Sequence, residues 1–214
     1  MFAFYKKVVM KKYSEVEIAE IVKVTTNFTK KVLGNYSPKH MCFTICYPLS
    51  LYLESLGYEN VIIGGNYQKE PSSNAVSHFW LQLNDDLKTI VDPTIEQFED
   101  NIVNAYVGPK KEAFSQIHEF EEWFDATYSI WKDKLLDQAY LNDLDITMLI
   151  NINLNAATIL YNQNQEKPTN KSGIYDDYFD CIFPVIRNYY NTNEWSQIMY
   201  PKNFNSLFTK VLMG

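Results

Sequence analysis

The stretch 42–94 constrains the fold more than any other part of the chain. It opens with an apolar run that carries leucines at helical spacing and ends at Gly57. The segments 61–65 and 78–83 then have the pattern of strands, and 87–92 that of a return strand after a short polar turn. One helix followed by antiparallel strands predicts an α+β domain.

The residues before this stretch predict another helix. Ser14 and Glu17 have the spacing of a capping box, and Gly34 lies where a glycine ends a helix. The polar segment 35–40 then predicts a loop that leads into the apolar run.

Beyond Phe98 the pattern becomes helical. Four segments are predicted as helices: 110–136, 144–160, 175–190 and 203–212. We therefore divide the chain into a core, residues 1–100, and a helical extension packed on it, residues 101–214, and expect the two to form one structural domain.

Composition excludes several classes of protein. A net charge of −7 over 214 residues argues against a nucleic-acid-binding protein, which normally carries a basic surface. Three cysteines do not make a disulfide framework, and no apolar run is long enough to cross a membrane. We expect a cytoplasmic protein without membrane association, and its oligomeric state is left open.

The acidic segment around His118 is the only candidate for a metal site. His118 with Glu121 or Glu122 would have metal-ligand spacing on a helix, but no second histidine accompanies them. A solvated acidic helix face explains the segment better. The sequence therefore predicts no metal site, and it contains no motif for a cofactor.

Cys42 is predicted at the start of a helix, where unpaired N–H groups and the helix dipole favour a thiolate. The same N–H groups are able to stabilise an oxyanion. The alternative interpretation is a buried thiol that acts as a small apolar side chain. Cys46 lies one turn further along, and we favour Cys42 as the nucleophile because helix-end effects fade within the first turn.

His78 opens a predicted strand, with Trp80 on the same face, and Asp92 ends the return strand. A hairpin that turns at 84–86 would place residues 78 and 92 opposite each other or within one register step. A histidine in that position is suited to act as a general base, and an aspartate beside it is able to orient the imidazole. Each residue taken alone also has an ordinary structural interpretation, a half-buried histidine and a turn aspartate.

In this order and spacing the stretch resembles the papain-like cysteine hydrolases, in their transglutaminase-like branch. The similar features are a cysteine that opens a helix, a strand with a small-residue end, a histidine before an aromatic strand, and an Asp-Pro-Thr strand end. They correspond here to Cys42, 61–65, 78–81 and 92–94. The chain departs from the family pattern at three positions: His40, Cys46 and Pro48.

The resemblance implies a papain-like core with Cys42 as nucleophile, His78 as general base and acid, and Asp92 as the residue that orients it. Asn35 or Tyr36 would supply a second oxyanion donor, and Trp80 would support the histidine. The implied function is a thiol hydrolase (peptidase, amidase or deamidase) that acts on a peptide, protein or small amide through an acyl-enzyme.

Two alternatives remain at this point. An acyltransferase would use the same three residues to transfer the acyl group to an amine, and a similar order of residues occurs in the arylamine N-acetyltransferase core. A catalytically inactive binding module would keep the fold without the activity.

Overall fold

The computed structural model describes residues 12–39, 41–68, 76–85, 87–97, 105–113, 119–124, 143–166 and Tyr178. The helices are α1 (Glu15–Leu33), α2 (Cys42–Ser55), the short α3 (Lys110–Ala113) and α4 (Asp143–Glu166). The strands are β1 (Asn60–Gln68), β2 (Val76–Leu83), β3 (Ile90–Asp92), β4 (Tyr106–Gly108) and β5 (Glu119–Phe124), and a 3-10 turn covers Ile95–Gln97. These elements form the α+β fold predicted from the sequence. No helix of this part of the chain has the length and apolar character needed to span a membrane.

Helix α1 begins and ends at the residues that the sequence pattern indicated. The Ser14 side chain accepts a hydrogen bond from the Glu17 backbone N–H, and the Glu17 carboxylate accepts one from the Ser14 N–H, which completes the capping box. Gly34 ends the helix with a φ of 59°, a conformation that favours glycine. The chain then turns and enters the loop that precedes α2.

Helix α2 begins at Cys42 and continues through Pro48, which lies inside the helix. Pro48 has no N–H to donate to the carbonyl one turn earlier, so the helix forms in spite of one missing backbone bond. Burial compensates for this loss, because ten of the fourteen helical residues are buried. Gly57, with a φ of 90°, makes the turn towards β1.

The five strands form one antiparallel sheet in the order β4-β3-β2-β1-β5. The two longest strands, β1 and β2, pair from Asn60↔Leu83 to Tyr67↔Val76. The return strand β3 is shorter than the segment 87–92 predicted, because it pairs only from Ile90 onwards.

The predicted helix 110–136 is wrong over residues 119–124, which form strand β5 on the free edge of β1. Long-range pairing overrides the local helical pattern here, since a paired edge satisfies the N–H and C=O groups of β1. Glu121 and Glu122 are therefore strand residues, and the helical spacing considered for a metal site does not exist. His118 lies outside the described residues.

The long helices cover one face of the sheet. Their buried side chains join those of alternate strand residues in one large core, which includes Phe28, Val32, Phe43, Ile45, Leu49, Leu53, Phe79, Leu81, Val91, Ile152 and Leu160. The alternate positions of the strands face the other way, where Trp80 packs with Ile63, Ile90 and Ile95.

Helix α4 packs against both α1 and α2, and Tyr178 stacks on Tyr47 with ring centroids 6.1 Å apart. Apart from Tyr178, the predicted helices 175–190 and 203–212 lie outside the described residues. The division into residues 1–100 and 101–214 stays a prediction.

Candidate active site

Strands β2 and β3 position His78 and Asp92. Their register pairs Leu81 with Val91 and Gln82 with Ile90, so its continuation sets Asp92 opposite Trp80. His78 is two residues further along β2, which makes His78 and Asp92 diagonal neighbours on one sheet face. The hairpin predicted from the sequence thus brings the two side chains together, but with an offset of two residues, whereas the prediction is that residues 78 and 92 lie opposite each other or within one register step.

The His78 and Asp92 side chains are in direct contact. His78 Nε2 lies 2.6 Å from Asp92 Oδ2, and both side chains are fully buried. The other carboxylate oxygen, Oδ1, accepts a hydrogen bond from the Thr94 backbone N–H at 2.9 Å, and the Thr94 hydroxyl lies 3.4 Å from it. Both oxygens of Asp92 are therefore occupied, which holds the carboxylate in one orientation towards the imidazole.

The structure also brings the first residue of α2 to this pair. A side-chain hydrogen bond links Cys42 to His78. Because Nε2 of the imidazole faces Asp92, Nδ1 is the ring nitrogen left for the thiol. Cys42 is the only one of the three with any exposure, 7%. The three residues selected from the sequence thus form one connected chain: thiol, imidazole, carboxylate.

The surroundings of His78 favour its protonated form. Burial lowers its pKa, but the charge and hydrogen bond of Asp92, together with the hydrogen bond and charge of Cys42, outweigh burial and raise the pKa from 6.5 to about 10. The imidazole is therefore a cation at neutral pH.

Cys46 is the second cysteine of α2 and is fully buried. Its thiol donates a hydrogen bond to the Phe79 carbonyl at 3.4 Å. Burial, and then the charges of Cys42 and Asp92, raise its pKa well above the usual value. These surroundings keep Cys46 as a neutral thiol that packs between α2 and β2.

Trp80 lies beside the imidazole, with ring centroids 5.9 Å apart, and is fully buried. The Lys110 ammonium lies 5.8 Å from the centroid of the Trp80 ring. Burial lowers the pKa of Lys110, and the nearby Lys88 lowers it further. The Trp80 ring therefore has both the His78 imidazole and the Lys110 ammonium as neighbours, and its supporting role for the histidine stays a prediction.

The two candidate oxyanion donors of the loop before α2 lie at the surface. Asn35 is exposed, and the exposed Tyr36 accepts a hydrogen bond at its hydroxyl from Asn151 of α4 at 2.9 Å. Their oxyanion role stays a prediction. Cys42 is the first residue of α2, so it adjoins the backbone N–H groups of the first helical turn. No side chain caps these N–H groups.

Thr94, which is not among the predicted site residues, also belongs to the site because its backbone N–H donates to Asp92. The signal was present in the sequence, since Asp-Pro-Thr is a turn in which the aspartate accepts from the N–H two residues on.

The arrangement contains the groups that nucleophilic catalysis by a thiol requires: a thiol at a helix start, an imidazole within hydrogen-bond reach and a buried carboxylate. Comparison of the chain with models of protein families, with curated proteins and with solved structures found no match.

Proposed function

We propose that this protein is a cysteine-dependent hydrolase that cleaves an amide or peptide bond through an acyl-enzyme at Cys42. The observation that carries the proposal is the hydrogen-bonded chain from Cys42 through His78 to Asp92 at the start of α2. The proposal includes a papain-like core similar to that of the transglutaminase-like branch.

In the first half of the reaction, the Cys42 thiolate attacks the carbonyl carbon of the substrate and forms a C–S bond. The oxygen of the tetrahedral intermediate carries the negative charge, and the first-turn N–H groups of α2 are positioned to stabilise it. The His78 imidazolium donates its proton to the leaving nitrogen, the C–N bond breaks, and a thioester of Cys42 remains.

In the second half, His78 is neutral and removes a proton from a water molecule, which attacks the thioester carbon. The C–S bond breaks, the acid product leaves, and the thiolate–imidazolium pair is restored. Asp92 holds the imidazole in one orientation and stabilises its cation in each half, without itself taking a proton.

Acylation by a simple activated ester tests the proposal without knowledge of the natural substrate. With p-nitrophenyl acetate we expect a burst of p-nitrophenol and an added acetyl mass on the peptide that contains Cys42. Cys42→Ala should abolish both, while Cys46→Ala, the matched thiol one turn away, should retain both.

The fate of the acetyl group separates hydrolysis from acyl transfer. Hydrolysis predicts that the acetyl group leaves Cys42 without an added amine, and that an amine accelerates this loss little. Acyl transfer predicts that the acetyl group stays on Cys42 until an amine is added. Absence of an acetyl group on Cys42 in a folded protein, or equal acetylation of Cys46, would overturn the proposal in favour of a binding module.

A further inference from the structure

A pocket of about 160 Å³ lies between the end of α1 and the two loops that flank the candidate site. Its floor consists of the half-buried Thr26 and the buried Thr29 of α1 with the buried, apolar Leu33 and Pro93. Lys30 and Glu96 stand at its more exposed rim. The floor is thus apolar apart from two hydroxyl groups.

Those two hydroxyl groups make no hydrogen bond to any residue in the described part of the chain. The Oγ1 atoms of Thr26 and Thr29 are buried and have no partner among the residues that the structure describes. An unpaired buried hydroxyl destabilises a fold. Because threonine occupies two χ1 rotamers in helices, a rotation about χ1 would expose either hydroxyl to a ligand in the pocket.

The charges around the pocket restrict the ligand. The floor holds no ionised group, so a charged ligand group that reached it would lose its hydration without a counter-charge. At the rim, the ammonium of Lys30 and the carboxylate of Glu96 have opposite signs, and together they select neither an anion nor a cation. The pocket therefore fits a neutral group that both donates and accepts hydrogen bonds.

The walls connect the pocket to the candidate site. Pro93 directly follows Asp92 in the sequence. Pro38 also lines the pocket, and its carbonyl accepts a hydrogen bond at 2.9 Å from the backbone N–H of Met41, the residue before Cys42. A ligand in the pocket would contact the two loops from which the nucleophile and the orienting carboxylate extend.

We propose that this pocket binds a short aliphatic chain that ends in a primary carboxamide, and that it is a recognition subsite for the substrate. The carboxamide presents an N–H donor and a C=O acceptor side by side, which match two neighbouring hydroxyls that each donate and accept. The stem of the chain packs on Leu33 and Pro93. The assignment as a substrate subsite rests on the proposed hydrolase function, whereas binding of the carboxamide does not.

Binding is measured on Cys42→Ala protein by ligand-observed NMR titration with three probes of equal length: butyramide, butyrate and butylammonium. We expect butyramide to bind at least about tenfold more tightly than either ion, and Thr26→Val/Thr29→Val to weaken it about tenfold. Thr25→Val is the matched control, because the Thr25 hydroxyl is also buried and unpartnered in the described structure but does not line the pocket.

Equal or tighter binding of either ion, no binding of butyramide, or equal affinity in the double variant and the control would overturn the pocket assignment. The Thr→Val variants should unfold at a temperature equal to or higher than that of the parent protein, because valine removes an unpaired buried hydroxyl. A loss of butyramide binding would then not result from a loss of folding.

The subsite role is tested on active protein with two p-nitrophenyl esters, one of butyrate and one whose acyl chain ends in a carboxamide. The double variant should raise KM for the second ester alone. If neither ester acylates Cys42 while butyramide still binds, the hydrolase proposal fails and the pocket stands. If both esters react with the same KM, the subsite assignment fails and the hydrolase stands.

Discussion

The His78 imidazole lies 2.6 Å from the Asp92 carboxylate, across a diagonal of two neighbouring strands and without exposure to solvent. The backbone N–H of Thr94 donates a hydrogen bond to the other oxygen of that carboxylate. Two charges buried in this way stabilise a site only as a pair, because removal of one leaves the other buried without compensation. The pair is thus the most sensitive point of the candidate site.

Asp92→Asn should lower the rate of Cys42 acylation by roughly 10²- to 10⁴-fold, since the neutral amide no longer orients the imidazole or stabilises its cation. NMR titration of the His78 ring should show a lower pKa in the variant. The acylation burst and the titration are measured on the same preparation.

Asp85→Asn is the matched control. Asp85 is also buried, and its carboxylate accepts hydrogen bonds from the Thr89 N–H and hydroxyl at 2.8 and 2.7 Å. It should lose stability and keep the acylation rate. Equal loss of acylation in both variants would assign Asp92 a structural role only.

Stability should depend on pH through His78. The pKa of His78 is raised from 6.5 to about 10, because the Asp92 and Cys42 side chains outweigh the lowering effect of burial. Between these values the folded state binds one more proton than the unfolded state, so its stability falls as pH rises. The contribution is fully present below pH 6.5 and is lost as pH passes about 10.

Urea unfolding between pH 6 and pH 10 measures this dependence. The wild type should lose stability over the range, and Asp92→Asn should show a smaller slope. A wild-type stability that is constant or rises over the range would contradict the protonated state assigned to His78.

Cys46→Ala should leave the reactivity of Cys42 intact and reduce the free energy of unfolding by about 1 kcal/mol, since it removes a small buried group and one weak hydrogen bond. Denaturant unfolding and the acylation burst check the two halves of this prediction. A loss of acylation in a stably folded Cys46→Ala protein would make Cys46 part of the chemistry.

Ser14→Ala should lower the free energy of unfolding by about 1 kcal/mol, because it removes the side-chain cap of α1. Ser14→Asp retains a side-chain oxygen and should restore most of the loss. Acylation should be the same in both variants. Equal stability of Ser14→Ala and the wild type would contradict the capping box as a source of stability.

The sequence predicted those parts of the fold whose signals are local. The capping box of α1, the apolar face of α2 and the alternation in β2 each depend on residues a few positions apart. Strand β5 depends instead on the free edge of β1, more than fifty residues earlier in the chain, and its acidic and aromatic residues also fit a helix.

The same distinction applies to the site. The sequence predicts each of Cys42, His78 and Asp92 at the start or end of an element. Cys42 does begin α2 and Asp92 ends β3, whereas β2 begins two residues before His78. The offset of two residues between His78 and Asp92 depends on where pairing of β3 begins, which composition does not specify. The pocket of Thr26 and Thr29 joins α1 to a distant loop and has no local signal.

Alkylation with iodoacetamide at pH 7, followed at each cysteine, tests whether Cys42 is the reactive thiol, because the thiolate rather than the thiol reacts. Peptide mass analysis follows Cys42, Cys46 and Cys181 in the wild type and in His78→Ala. We expect Cys42 to react at least about tenfold faster than the other two cysteines and to lose this advantage in the His78→Ala variant. Equal, slow labelling of all three, or a Cys42 rate unaffected by His78→Ala, would contradict this expectation.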